Sequence, residues 1–124
     1  MKRVFVASSR KFYDKVKVLK SRLDELGVVG FYPYFDFADD SVEKDEKLKK
    51  ELTKKHFPEI DQVDVLYILA EGGYTGVSVA IEASYAYAKN IEVISSEPVR
   101  ELALQAIVSR VMTQVEFINF TLEK

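Results

Sequence analysis

Short apolar runs of strand length alternate along the chain with longer stretches whose apolar residues recur every three or four positions. The first run, "RVFVA" (Arg3 to Ala7), predicts a buried strand, and the stretch from Arg10 to Gly27 predicts a helix. Phe12, Val16, Leu19, Leu23 and Leu26 form the apolar stripe of that helix, and Gly27 supplies its stop. "VVGFYPYF" (Val28 to Phe35) predicts a second strand, which Pro33 either ends or places at a sheet edge, because proline has no N–H for the ladder. An acidic loop then leads into a helix over Val42 to His56, with Glu46 and Lys50, and Glu51 and Lys55, spaced as favourable ion pairs. Leu48, Leu52, His56 and Ile60 share one stripe there, and Pro58 predicts a kink or a new short turn near Phe57.

"VDVLYILA" (Val63 to Ala70) is apolar on both faces and predicts a central strand. The glycine-rich turn "EGGYTG" follows and opens a third helix, whose stripe is expected to be Val77, Ala80, Ile81, Ser84, Tyr85 and Ala88. Ile91 to Ser96 predicts a fourth strand, and Pro98 to Thr113 a fourth helix with proline in its first turn. A tail helix over Gln114 to Leu122 is expected to close the domain or to pack on a partner. Four alternations of strand and helix imply an α/β fold: a four- or five-stranded, mainly parallel sheet with helices on both faces. In such sheets ligands sit beyond the carboxyl ends of the strands, near the point where the strand order reverses.

At 124 residues the chain has the size of a single domain over 1–124. A net charge of -2 argues against nucleic acid and against a polybasic membrane surface as partners. The sequence has no cysteine, which excludes disulfides, thiolate metal sites and cysteine nucleophiles, and suits a reducing, cytoplasmic setting. The apolar run in "MKRVFVASS" is too short for a signal segment. With a single histidine, His56, a histidine-rich metal site is excluded, and no metal or other cofactor is implied.

Candidate chemistry gathers at the predicted strand ends. Gly72, Gly73 and Gly76 permit positive φ and close ligand approach, with Thr75 or Ser78 available to cap the helix, although the turn has neither a P-loop lysine nor the G-x-G-x-x-G spacing. Glu82 lies beside Ser78 and Tyr85 without a basic residue three or four positions away, so it reads either as a carboxylate facing the crevice or as a solvated surface group. The aromatic run "FYPYFDF" (Phe31 to Phe37), with Tyr34 and Asp36, is suited to walling a planar ring or to core packing. Ala7, Ser8 and Ser9 end the first strand, where the hydroxyls either contact a sugar or phosphate or cap the first helix. Asp64 leads its strand at the opposite end and reads as structural, and His56 reads as a packed core histidine.

The segment "IDQVDVLYILAEGGYTGVSVAIEASYAYAKNIEVI" resembles the nucleoside 2-deoxyribosyltransferase family, which includes related 2'-deoxynucleoside 5'-phosphate N-hydrolases. The likeness is carried by Asp64, the turn Gly72 to Gly76, then Glu82, Ser84, Tyr85, Ala86 and Lys89 to Ile91, with "VFVASS" as the first strand. It implies a Rossmann-like (flavodoxin-like) fold, a small-molecule nucleoside or nucleotide as partner, and a homo-oligomer, for which the apolar tail "VEFINFTL" offers a contact. It also implies that Glu82 attacks C1' of the sugar, with Tyr85 and Ser78 positioning it, and that Ala7, Ser8, Ser9, Tyr34, Asp36, Gly72, Gly73 and Gly76 contact the ligand. Two polar positions differ from the family pattern: Gly76 stands where relatives tend to have aspartate or serine, and His56 where they often have aspartate. Two functions follow: cleavage or transfer at an N-glycosidic bond, which the retained Glu82 favours, and a non-catalytic nucleotide-binding or assembly module, which Gly76 and His56 favour.

Overall fold

The computed structural model describes residues 1–35 and 45–124. Five parallel strands form one sheet in the order β2-β1-β3-β4-β5. They are β1 (Val4–Ala7), β2 (Gly30–Phe31), β3 (Val65–Ile68), β4 (Glu92–Ser95) and β5 (Arg110–Val111). The helices are α1 (Tyr13–Glu25), α2 (Glu46–Ile60), α3 (Val77–Ala88), α4 (Leu102–Gln105) and α5 (Gln114–Thr121). The sequence expectation of a doubly wound α/β domain is therefore met, and β3 is the central strand, buried at all four positions.

Alternation along the strands divides the core. Val4, Val6, Val65 and Tyr67 face α1 and α5, while Phe5, Ala7, Leu66 and Ile68 face α3 and α4 and the end of α2 at Ile60. The ring of Tyr67 stacks on Phe117 of α5 with centroids 3.9 Å apart, and its hydroxyl donates to the Met112 carbonyl at 2.8 Å. Phe117, Ile118 and Phe120 are thus buried in the chain's own core, so the tail closes the domain. Thr113 and Glu116 form a capping box that starts this helix. Among the described residues, no helix is long and apolar enough to cross a membrane.

Several elements differ from expectation for local reasons. The first helical stretch begins as a 3-10 turn, Arg10–Phe12, capped by the Ser9 side chain, and Leu26 is the C-cap before Gly27 at φ +76°. β2 is an edge strand of two residues that ends before Pro33. Val42 to Lys44 of the predicted second helix lie outside the described residues; Asp45 caps α2, which runs on across Pro58 to Ile60. Pro58 falls in the last turn, where its ring removes one backbone bond near an end that frays anyway.

The predicted fourth helix is mostly not helical. Glu101 caps only the four-residue α4, and the chain then extends into β5, where Arg110 donates to Glu92 from Nε and Nη2 (2.9 and 3.0 Å) and Ser109 N–H donates to the Val93 carbonyl. Pairing at the open edge of β4 wins over the helical spacing of Pro98 to Thr113. The stripe expected for α3 is also rotated: Val79, Ala83 and Ala86 face the core with Glu82, while Val77 and Ile81 point outward. The small alanines let α3 approach the sheet closely, and the larger aliphatic residues do not fit that contact.

The β3–α3 turn is fixed by backbone contacts on its far side. Gly73 has φ +78°, and a Cβ there would lie 2.7 Å from the Pro98 carbonyl oxygen. Gly73→Ala is accordingly expected to destabilise the protein by about 2 kcal/mol, seen as a fall of roughly 8 °C in Tm by calorimetry; an unchanged Tm would show that the turn relaxes without cost.

Candidate active site

The strand order reverses between β1 and β3, since β1 runs on through α1 to β2 on one side and β3 through α3 to β4 on the other. A crevice at that point is the place where the loops leaving the two strands diverge. The structure has a cavity of about 80 Å³ there, walled by Phe5, Ser8, Tyr34, Ser78, Glu82 and the inner face of α2. Lys49, Leu52, Thr53 and His56 line it from α2, at the three- and four-residue spacing of a single helix face. A wider depression of about 670 Å³ shares Ser8, Arg10, Tyr13, Lys49, Thr53 and Ser78 with the cavity, and continues to Ser9 and Gly76.

Glu82 projects from the second turn of α3 and is only 9% exposed. Burial pushes its carboxyl up to about 8; attraction by Lys49 opposes the rise and repulsion by Glu59 adds to it. Its Oε2 lies 3.6 Å from His56 Nε2, a contact longer than a hydrogen bond. The imidazole is pushed below its ordinary range, first by burial, while the hydrogen bond and charge of Glu59 act the other way. Tyr34 stacks on this ring at 4.4 Å and 6°, and Phe5 meets it edge-on at 5.0 Å. Glu59 binds both members of the stack, with Oε1 at 3.1 Å from His56 Nδ1 and Oε2 accepting the Tyr34 hydroxyl at 2.7 Å.

Of the residues expected from sequence, Ser8, Tyr34, Ser78 and Glu82 come together at the cavity, with Ser9 and Gly76 on the outer depression. The Ser8 hydroxyl donates to the Leu69 carbonyl at 2.7 Å and ties β1 to β3, and the Ser9 side chain accepts from Lys11 N–H. Ala7 is buried in the core beneath α3 and does not reach the cavity. Gly72 and Gly73 face the segment after β4: Gly72 N–H donates to Glu97, and Arg100 N–H donates to the Gly73 carbonyl. Tyr85 is turned away, its hydroxyl donating to Asp61 at 2.8 Å beside Lys89. Asp36 lies outside the described residues. Neither Thr75 nor Ser78 caps α3, whose N-cap is Gly76 with no side-chain bond. Asp64 has the structural role expected of it, accepting from the Arg3 N–H at 2.8 Å.

Sequence reasoning missed the contribution of α2. His56 is packed, as expected, yet its second nitrogen faces Glu82. Glu59 went unremarked, although its place three residues after a histidine on the same helix is a readable signal. Lys49, Leu52, Thr53 and His56 carry an equally readable signal in their three- and four-residue spacing.

Comparison with known proteins supports the fold. No protein-family model and no curated protein sequence matches the chain. Among solved structures, a 2-deoxyribosyltransferase from the psychrotolerant bacterium Bacillus psychrosaccharolyticus is similar with a TM-score of 0.67 at 17% identity, over 94% of this chain and 90% of that one. A conserved protein from Enterococcus faecalis V583 has a TM-score of 0.66 at 17% identity, over 98% and 97% of the two chains. A CMP N-glycosidase from Clostridium botulinum has a TM-score of 0.53 at 14% identity, over 96% and 97%. The chain therefore shares its single-domain α/β fold with these proteins, over nearly the whole length of each.

The electrostatics of Glu82 carry a stability prediction. Unfolded, the carboxyl ionises near 4.5, and folded it ionises near 8. The stability conferred by neutral burial is therefore complete below the lower value and is lost as pH rises through the upper one. Glu82→Gln keeps the shape without the charge. The variant should match the parent in acid, gain on it through the intervening window, and exceed it by on the order of 5 kcal/mol at alkaline pH. Denaturant titrations across this range check it; a pH-independent difference would rule out a buried neutral carboxyl.

Proposed function

We propose that the chain cleaves or transfers at the N-glycosidic bond of a (deoxy)nucleoside or nucleotide, with Glu82 as the nucleophile. The observation that carries this reading is a carboxyl buried in a polar-lined cavity at the switch point of the sheet, on α3 just after the β3–α3 turn. The fold shared with a 2-deoxyribosyltransferase and a CMP N-glycosidase supports it.

The chemistry follows from retaining glycosyl transfer. A carboxylate oxygen of Glu82 bonds to C1', the bond from C1' to the base nitrogen breaks, and its electron pair leaves with the base, which takes up a proton. The covalent glycosyl ester is then released to a second base or to water. The attacking form is the anion, so the rate should climb as Glu82 ionises, up to about pH 8. Lys49 on the cavity wall favours that anion. Tyr34 is the one described ring of the aromatic run at the cavity, because Phe35 turns to the core beside Tyr13 and Phe31 and Tyr32 pack elsewhere.

The test is to incubate deoxynucleosides, ribonucleosides and their 5'-monophosphates with the protein, with and without an acceptor base, and to follow free base. Release should fall about 10³-fold or more in Glu82→Ala. It should persist in Glu71→Ala, which removes only a surface carboxylate paired with Lys15. A ligand-dependent rise in Tm without base release from any of these compounds would replace the enzyme with a binding module.

A further inference from the structure

His56 sits between two carboxyl groups that treat its nitrogens differently. Glu59 accepts the Tyr34 O–H at 2.7 Å on one oxygen, and its other oxygen lies 3.1 Å from the imidazole Nδ1. A carboxylate has no proton to give, so Nδ1 is the donor, and in the neutral ring the lone pair is at Nε2. That lone pair faces Glu82 Oε2 across 3.6 Å. The ring is held by the Tyr34 stack and the edge of Phe5, so it cannot exchange its two nitrogens without losing the Glu59 bond.

We propose that His56 is a positioning residue that accepts the Glu82 proton at Nε2, in a relay anchored by Glu59. The O–H bond of the Glu82 carboxyl breaks with its electron pair left on the carboxylate, and an N–H bond forms at Nε2 after a small approach of the two groups. The imidazolium keeps its Nδ1–H on Glu59. Before the step the cluster holds a neutral acid, a neutral imidazole and the Glu59 anion; after it, two carboxylates and one imidazolium. The net charge is the same in both states, so a nucleophile is made inside a desolvated cavity without expelling a proton into water. Burial holds Glu82 and His56 neutral at rest, Lys49 favours the new carboxylate, and Glu59 favours the new imidazolium. The other charged and titratable groups facing the cluster are Arg10 and Tyr13 on the cavity wall and Lys55 over the Tyr34 ring. The catalytic consequence rests on Glu82 being the nucleophile, whereas the proton linkage does not.

His56 is the chain's one histidine, so nitrogen NMR of its imidazole reads tautomer and titration without an assignment problem. The Nδ1–H tautomer should predominate, and Glu59→Gln should move the tautomer ratio about tenfold toward Nε2–H. Glu82→Gln should lower the apparent imidazole midpoint by a few tenths of a pH unit, since it removes the state in which Glu82 has passed its proton to Nε2 and the ring stays charged until the pair loses its second proton. An Nε2–H ring in the parent protein, or a midpoint unmoved by Glu82→Gln, would overturn the relay. Glu59→Gln should also shift the pH profile of base release to the acid side by about one unit with KM unchanged, since it removes the charge that helps both groups hold their protons; a uniform fall in rate with the same profile would show a merely structural glutamate. Should Glu59→Gln not fold, Glu82→Gln alone decides. Coupled titration in a protein that releases no base would support the relay while removing the proposed function.

Discussion

The parallel pairing of β1 with β3 is the contact on which the site depends. It runs in register from Val4 opposite Val65 to Ala7 opposite Ile68, and the chain leaves both strands at the same edge in opposite lateral directions. Two loops departing that way cannot fill the space between them. The Ser8 hydroxyl on the Leu69 carbonyl fastens the strands just before they part. Beyond that point α2 covers the opening from one side and α3 from the other, which brings His56 within reach of Glu82 although 26 residues of sequence separate them.

Such an arrangement sets stability against readiness to react. The cheapest state for the buried cluster is neutral, and the useful state of Glu82 is charged. The cluster limits the conflict by surrounding one acid with groups that can take or balance its proton and not with fixed cations alone. Glu59 is central to this because it is satisfied twice, by Tyr34 and by His56. A half-satisfied polar group in the same place would weaken the fold and blur the geometry.

The sheet and the principal helices were legible in the residues because their signals are periodic and local. β3 reads as central from its unbroken apolar run, and Glu82 stands out because no cation lies one turn away on α3. What was not legible depended on competition between elements. Residues 98–113 carry a helical spacing, yet an unpaired edge beside β4 and the Glu92–Arg110 pair draw part of them into a strand. The face that α3 buries was misread because close packing against the sheet favours Ala83 and Ala86 over the larger Val77 and Ile81. His56 could be read as packed but not as facing Glu82, since that neighbour comes from another helix.

The walls of the cavity differ in what they can tolerate. The α3 wall, with Ser78 and Glu82, starts from a turn held by main chain outside the cavity: a Cβ on Gly73 would meet the Pro98 carbonyl, and Arg100 N–H donates to the Gly73 carbonyl. A change of shape there would have to move two loops together. The α2 side is made of side chains on a regular helix, where Lys49, Leu52 and Thr53 can be exchanged while the backbone stays in place. The route by which this scaffold would acquire a different ligand preference therefore runs through one helix face, with α3, anchored by the turn before it, serving as the fixed jaw and α2 as the replaceable one.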